Sequence, residues 1–128
     1  MNKVISLVIA GTLALTIMAV ALPGATAATA SVVKKGHCSA TSTWRLTLTR
    51  DHARIEADVE VQTPKAGQQW KSRFSDNGTL FGTATRTTVA DGSFSATRFA
   101  AHKAGPDLIK VRSVNQTTGE VCKASATF

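Results

Sequence analysis

The chain has no tyrosine, only two cysteines among its 128 residues, and eight acidic residues against fifteen lysines and arginines. Each shortage excludes something. Without tyrosine there is no tyrosine corner, a hallmark of many immunoglobulin domains. Two cysteines, Cys38 and Cys122, allow one intramolecular bridge and no second pairing. No Gly-x-Ser-x-Gly elbow is present, so nothing marks a nucleophile of the hydrolase kind. His37, His52 and His102 are far apart and lack metal-ligand spacing. Basic residues are scattered rather than blocked, and no exposed aromatics interleave with them, which argues against a single-strand nucleic-acid binder. Beyond residue 30 no apolar stripe recurs at helical period.

What is present begins with a leader. Met1-Asn2-Lys3 is followed by an apolar, uncharged run, Val4–Leu22, then Pro23-Gly24 and the small-residue triplet Ala25-Thr26-Ala27. This order reads as a secretory signal peptide over residues 1–30, a helix cleaved after Ala27 or after Ala30. A retained membrane anchor is the alternative reading of the same run. No cysteine stands near its end, which argues against a lipoprotein anchor. The remaining domain, 31–128, carries fourteen basic and eight acidic residues, a net charge of +6. A domain of that size buries only about 60–65% of its unfolded surface and profits from a staple. In an oxidising compartment Cys38 and Cys122 are expected to supply it.

The strongest pattern is Arg54–Gln62. Ile55, Ala57, Val59 and Val61 alternate with Glu56, Asp58 and Glu60, the period of a half-buried strand. Thr43–Arg50 alternates likewise through Trp44, Leu46 and Leu48, and Gln68–Ser75 through Trp70, Ser72 and Phe74. Asn77-Gly78 and Asp91-Gly92 mark tight hairpins. Thr79–Val89 reads as strand with an interruption near Gly82. In Ser93–Ala100, Phe94 and Phe99 have opposite parity, which calls for a bulge or a partly exposed ring. Leu108–Asn115 and Glu120–Phe128 complete the set, while Ser31–Gly36 reads as a mobile polar lead-in, with a short first strand around Cys38. Regular strands and turns without helices predict an all-β sandwich of about seven antiparallel strands. The first and last would be joined by a Cys38–Cys122 disulfide, unlike the inner-strand bridge of antibody domains.

The candidate constellations resolve as follows. Glu56, Asp58 and Glu60 form an acidic row; calcium needs oxygens converging on one point, so the row is read as cross-strand pairing with Lys71 and Arg73 on one side and Arg45 on the other. Trp44 and Trp70 have inward parity and are assigned to the core rather than to a sugar platform. Asn77-Gly78-Thr79 and Asn115-Gln116-Thr117 match the N-glycosylation pattern and also suit turns.

Cys38, Trp44-Arg45-Leu46, Gly67-Gln68-Gln69-Trp70, Thr118-Gly119-Glu120-Val121-Cys122 and the terminal Ala126-Thr127-Phe128, in that order, carry a resemblance to uncharacterised small secreted proteins of actinobacteria. The resemblance covers nearly the whole domain. It implies an immunoglobulin-like, fibronectin-III-like sandwich and assigns no catalytic, cofactor or metal residue. The expectation is therefore a secreted, non-catalytic, monomeric extracellular or cell-surface binding module. Its partner would be an extracellular protein or cell-wall polymer, with no nucleic acid and no membrane once the leader is removed. The alternative is an inhibitor of a secreted hydrolase, presenting Thr63–Gly67 or His102–Leu108.

Overall fold

The computed structural model describes residues 29–128 together with Val20, Ala21, Pro23 and Gly24. The predicted signal helix, apart from Val20 and Ala21, and the triplet Ala25-Thr26-Ala27 lie outside the described residues.

Eight strands form: β1 (Ser31–His37), β2 (Thr43–Asp51), β3 (Arg54–Gln62), β4 (Gln69–Asp76), β5 (Thr79–Thr87), β6 (Ser93–Ala101), β7 (Leu108–Asn115) and β8 (Val121–Thr127). They pair antiparallel in two four-stranded sheets. Sheet 1 has the order β1-β2-β3-β6 and sheet 2 the order β5-β4-β7-β8. The chain is an all-β sandwich, with no helix among the described residues.

The alternating strands pack as their period requires. Leu46, Leu48, Ile55, Val59 and Val61 of sheet 1 face Trp70, Phe74, Ile109 and Val111 of sheet 2, all essentially without solvent contact. Trp70 meets Phe94 of β6 across the sandwich, ring centroids 5.6 Å apart. Trp44 is half-buried, and its ring lies over Gly36 of the neighbouring strand; a Cβ there would stand 2.5 Å from it. Near Gly82 the β4–β5 register slips: Phe74 pairs Gly82 while Ser75 pairs Leu80, leaving Phe81 as the extra residue of a bulge. Phe81 turns back onto Phe74. No register shift accompanies the two phenylalanines of β6. Phe94 is buried and Phe99 stays partly exposed, with the Arg54 guanidinium 4.3 Å above its ring.

Residues 31–36 depart from expectation. They are strand, not a mobile lead-in, and pair with β2 from Ser31↔Thr49 to His37↔Thr43. The lysines that made them look like a tail are those of an edge strand, where charge blunts further pairing. Cys38 accordingly falls just past the first strand, in the turn before β2. Its disulfide to Cys122 of β8 closes 84 residues and ties sheet 1 to sheet 2. The same turn is sewn to β8 by hydrogen bonds. Glu120 accepts from the Ser42 amide and hydroxyl at 2.8 Å each, and Ser39 exchanges bonds with Val121 at 2.8 and 2.9 Å.

One polar pair sits inside the core. The hydroxyls of Ser72 on β4 and Ser113 on β7 face each other in register, 2.7 Å apart and buried. Each is satisfied only by the other, so Ser72→Ala or Ser113→Ala is expected to lose about 1–3 kcal/mol, and the double alanine variant far less than the sum. Urea unfolding of the four proteins checks this; additive losses would show that the hydroxyls are not coupled.

Candidate anion-binding face

Alternation gives every strand an outer face as well as an inner one. The two outer faces of the sandwich differ sharply in charge. On sheet 1, Glu56, Asp58 and Glu60 of β3 lie among Arg45, Thr47 and Thr49 of β2 and Ser95, Thr97 and Phe99 of β6. Arg45 stands opposite Glu60, as expected, and the Thr97 hydroxyl donates to Asp58 at 2.8 Å. Lys71 and Arg73 do not join them. β4 belongs to the other sheet, so these two cations point away from the acidic row, on the far side of the sandwich. The loop after β3, with Pro64 and Gly67, carries the chain across to sheet 2 instead of turning it back as a hairpin.

On sheet 2 the outer positions of β4, β7 and β8 include Lys71, Arg73, Lys110, Arg112 and Lys123, all exposed. Register sets Arg73 directly against Arg112, and Arg112 directly against Lys123, across three adjacent strands. Lys71 and Lys110 flank this bar two residues along β4 and β7. Strand spacings make the patch roughly 14 Å long and 10 Å wide between Cα positions. Arg112, at its centre, lines four shallow depressions of 220–450 Å³. Around the cations lie hydroxyls, among them Thr83 and Thr85 of β5, Ser75 and Ser125. No aromatic residue shares the face.

No acidic residue shares it either. Asp51, Glu56, Asp58 and Glu60 belong to sheet 1, Asp91 to the β5–β6 loop, and Glu120 is turned to Ser42. Asp76 and Asp107 are buried. The ion pairs among the described residues, Asp51 with His52 and Arg54 and Asp107 with His102, are all elsewhere. Setting the five cations aside leaves nine basic against eight acidic residues in 31–128, so one face holds nearly all of the positive excess. Like charges placed directly opposite in a ladder destabilise it. The fold itself gains nothing from this bar.

A second charged cluster lies at the end of β4. Asp76 and Asp107 are buried close together, and one carboxylate oxygen of each lacks a hydrogen-bond partner. Burial, and then the neighbouring Asp107 charge, raise the Asp76 carboxyl above its ordinary value. A carboxyl raised in the folded state contributes its full stability below the unfolded value of 3.8 and loses it as pH climbs through the folded one. Asp76→Asn is therefore expected to be more stable than the parent at pH 7, with the two converging toward pH 3. Thermal melts across that range check it; a neutral-pH loss would show that the carboxylate is needed there. Both side chains are almost without solvent contact, and the Asp107 backbone pairs with Phe128 in both directions.

The remaining positions singled out in the sequence separate in space. His37 ends β1, at the opposite end of sheet 1 from His52 in the β2–β3 turn and His102 after β6. Trp70 is in the core. Asn115 is buried, its amide donating to Gln68 and its oxygen accepting from Thr117 and Thr118, so the second glycosylation pattern is a turn-forming one. Asn77 is exposed but bonds Pro106 and Leu108, fixing the β4–β5 hairpin to the loop before β7. Of the two loops considered for an inhibitor, 63–67 is pinned to the β5–β6 connection through Thr63, Lys65 and Gly67. The other, His102–Leu108, is held at its base by Ala53 and Phe128.

No family model, curated protein or solved structure matches this chain.

Proposed function

We propose that the protein is an exported, non-catalytic, immunoglobulin-like sandwich that works as an extracellular binding module and takes an anionic partner on the outer face of sheet 2. The observation carrying this is the Arg73–Arg112–Lys123 bar, three cations in direct register with no acid on the face. The leader pattern and the disulfide support export. Connectivity supports the immunoglobulin-like reading: β2, β3 and β6 take the places of strands A, B and E, and β5, β4, β7 and β8 those of C′, C, F and G, with β1 an added edge.

The test compares two variants of equal net charge. Arg73→Thr/Arg112→Thr/Lys123→Thr removes the bar; Lys34→Thr/Lys65→Thr/Arg86→Thr removes three exposed cations elsewhere. On a heparin column the first is expected to elute at markedly lower salt than the second, which stays near the parent. Co-elution of the two variants would mean that net charge, not this face, governs binding. The face variant is also expected to melt no lower than the parent, because three aligned like charges are gone.

A further inference from the structure

The chemistry of the face narrows the partner, on the premise that the face is the binding site. We infer that it takes a linear, base-free phosphodiester polymer, a polyol phosphate, lying across β4, β7 and β8.

Several features of the face converge on this class. Two arginines and a lysine stand side by side, with Arg112 in the middle. Guanidinium forks grip the paired oxygens of a phosphate in two-point fashion, and ammonium groups add charge without demanding one geometry. Lys71 and Arg73, and again Lys110 and Arg112, are two residues apart on one strand face. That repeat is about 7 Å, close to the separation of successive phosphates along an extended phosphodiester backbone. A patch of this length engages two or three consecutive phosphates. The threonine and serine hydroxyls at its border are donors for the remaining phosphate oxygens and for polyol hydroxyls.

Other anionic partners fit less well. Single-stranded nucleic acid gains much of its affinity from bases stacked on aromatic rings, and this face has none. An anionic membrane surface rewards Trp or Phe inserted among the cations, and those are missing. A protein interface places apolar or aromatic anchors at its centre, whereas here Arg112 stands between Arg73 and Lys123 and the apolar Val114, Val121 and Leu80 lie to the sides of the bar.

The test measures binding of the disulfide-bonded protein to poly(glycerol phosphate) by calorimetry or anisotropy, over 50–300 mM salt. Oligothymidylate, a polyuronate and phosphatidylglycerol vesicles, matched in charge concentration, are the competitors. Poly(glycerol phosphate) is expected to bind at least tenfold tighter than each competitor. Its log–log salt slope should be about −2 to −3, in proportion to the phosphates neutralised. The variant lacking the bar should bind at least thirtyfold more weakly, while the equal-charge control stays within threefold. Equal binding of all four polyanions, lost with the bar, would overturn the inference and leave the anion-binding face standing. So would tighter binding of oligothymidylate, polyuronate or vesicles. Absence of any binding that depends on the bar would overturn both.

Discussion

Reducing the Cys38–Cys122 bond, or replacing both cysteines by alanine, is expected to lower the melting temperature by roughly 20–30 °C. The disulfide closes 84 residues, and in the chain-entropy model a loop of that length is worth about 4–5 kcal/mol. A domain of this size has only about 5–15 kcal/mol in total. The bond also joins the sheets at a single place, the turn after β1 and the start of β8. Hydrogen bonds from Ser42 to Glu120 and between Ser39 and Val121 hold the same place. They act only in the folded state and cannot restrict the unfolded chain. Circular dichroism melts with and without reductant check the expectation. A fall of less than about 5 °C would show that the hydrogen-bonded clasp holds the ends without the covalent link.

Gly92→Ala is expected to destabilise the fold by more than about 3 kcal/mol, whereas Gly78→Ala loses about 1 kcal/mol. Both glycines have left-handed backbones, φ +83° and +86°. They differ in what a side chain would meet. At Gly78, in the Asn77-Gly78 hairpin, a Cβ finds open space, so only the backbone preference is lost. At Gly92 it would stand 2.0 Å from the Thr63 carbonyl oxygen, a backbone atom with no rotamer to yield. The Thr63 amide donates to the Gly92 carbonyl at 2.9 Å, so separating the strands there breaks the bond joining the β3–β4 and β5–β6 connections. Chemical unfolding of the two variants measures the gap. Equal losses would mean that the loops part freely and that backbone conformation alone sets the penalty.

Local periodicity carried the fold class a long way. The alternation in β3 placed four core residues and three outward acids correctly, because period two fixes which face each side chain takes. The parity of Phe94 and Phe99 was equally informative: one is core, and the other lies under Arg54. Residues 31–36 read from their sequence as a mobile lead-in and form most of β1. An edge strand tolerates charge, so Lys34, Lys35 and Gly36 look the same in a strand as in a polar lead-in.

The candidate site was half legible. Each of its five cations stands at an outward position that alternation identifies. The neighbours of those positions are another matter. Consecutive strands often pair, and on that basis Lys71 and Arg73 belong beside Glu56–Glu60, neutralised and unremarked. The crossover at 63–68 puts them on the opposite face of the molecule, next to Arg112, with Lys123 beyond it. The same crossover leaves the acidic row to β2 and β6.

The amino-acid sequence by itself determined the strands, their inward and outward sides, the tight turns and the one possible sulfur bridge. These depend on interactions within a few residues, or on there being a single cysteine partner. Only the tertiary structure decided which strands lie side by side. Partner choice depends on how two apolar faces close over each other, and the side-chain period is blind to it. The segregation of charge into a mixed face and a wholly basic one follows from that choice.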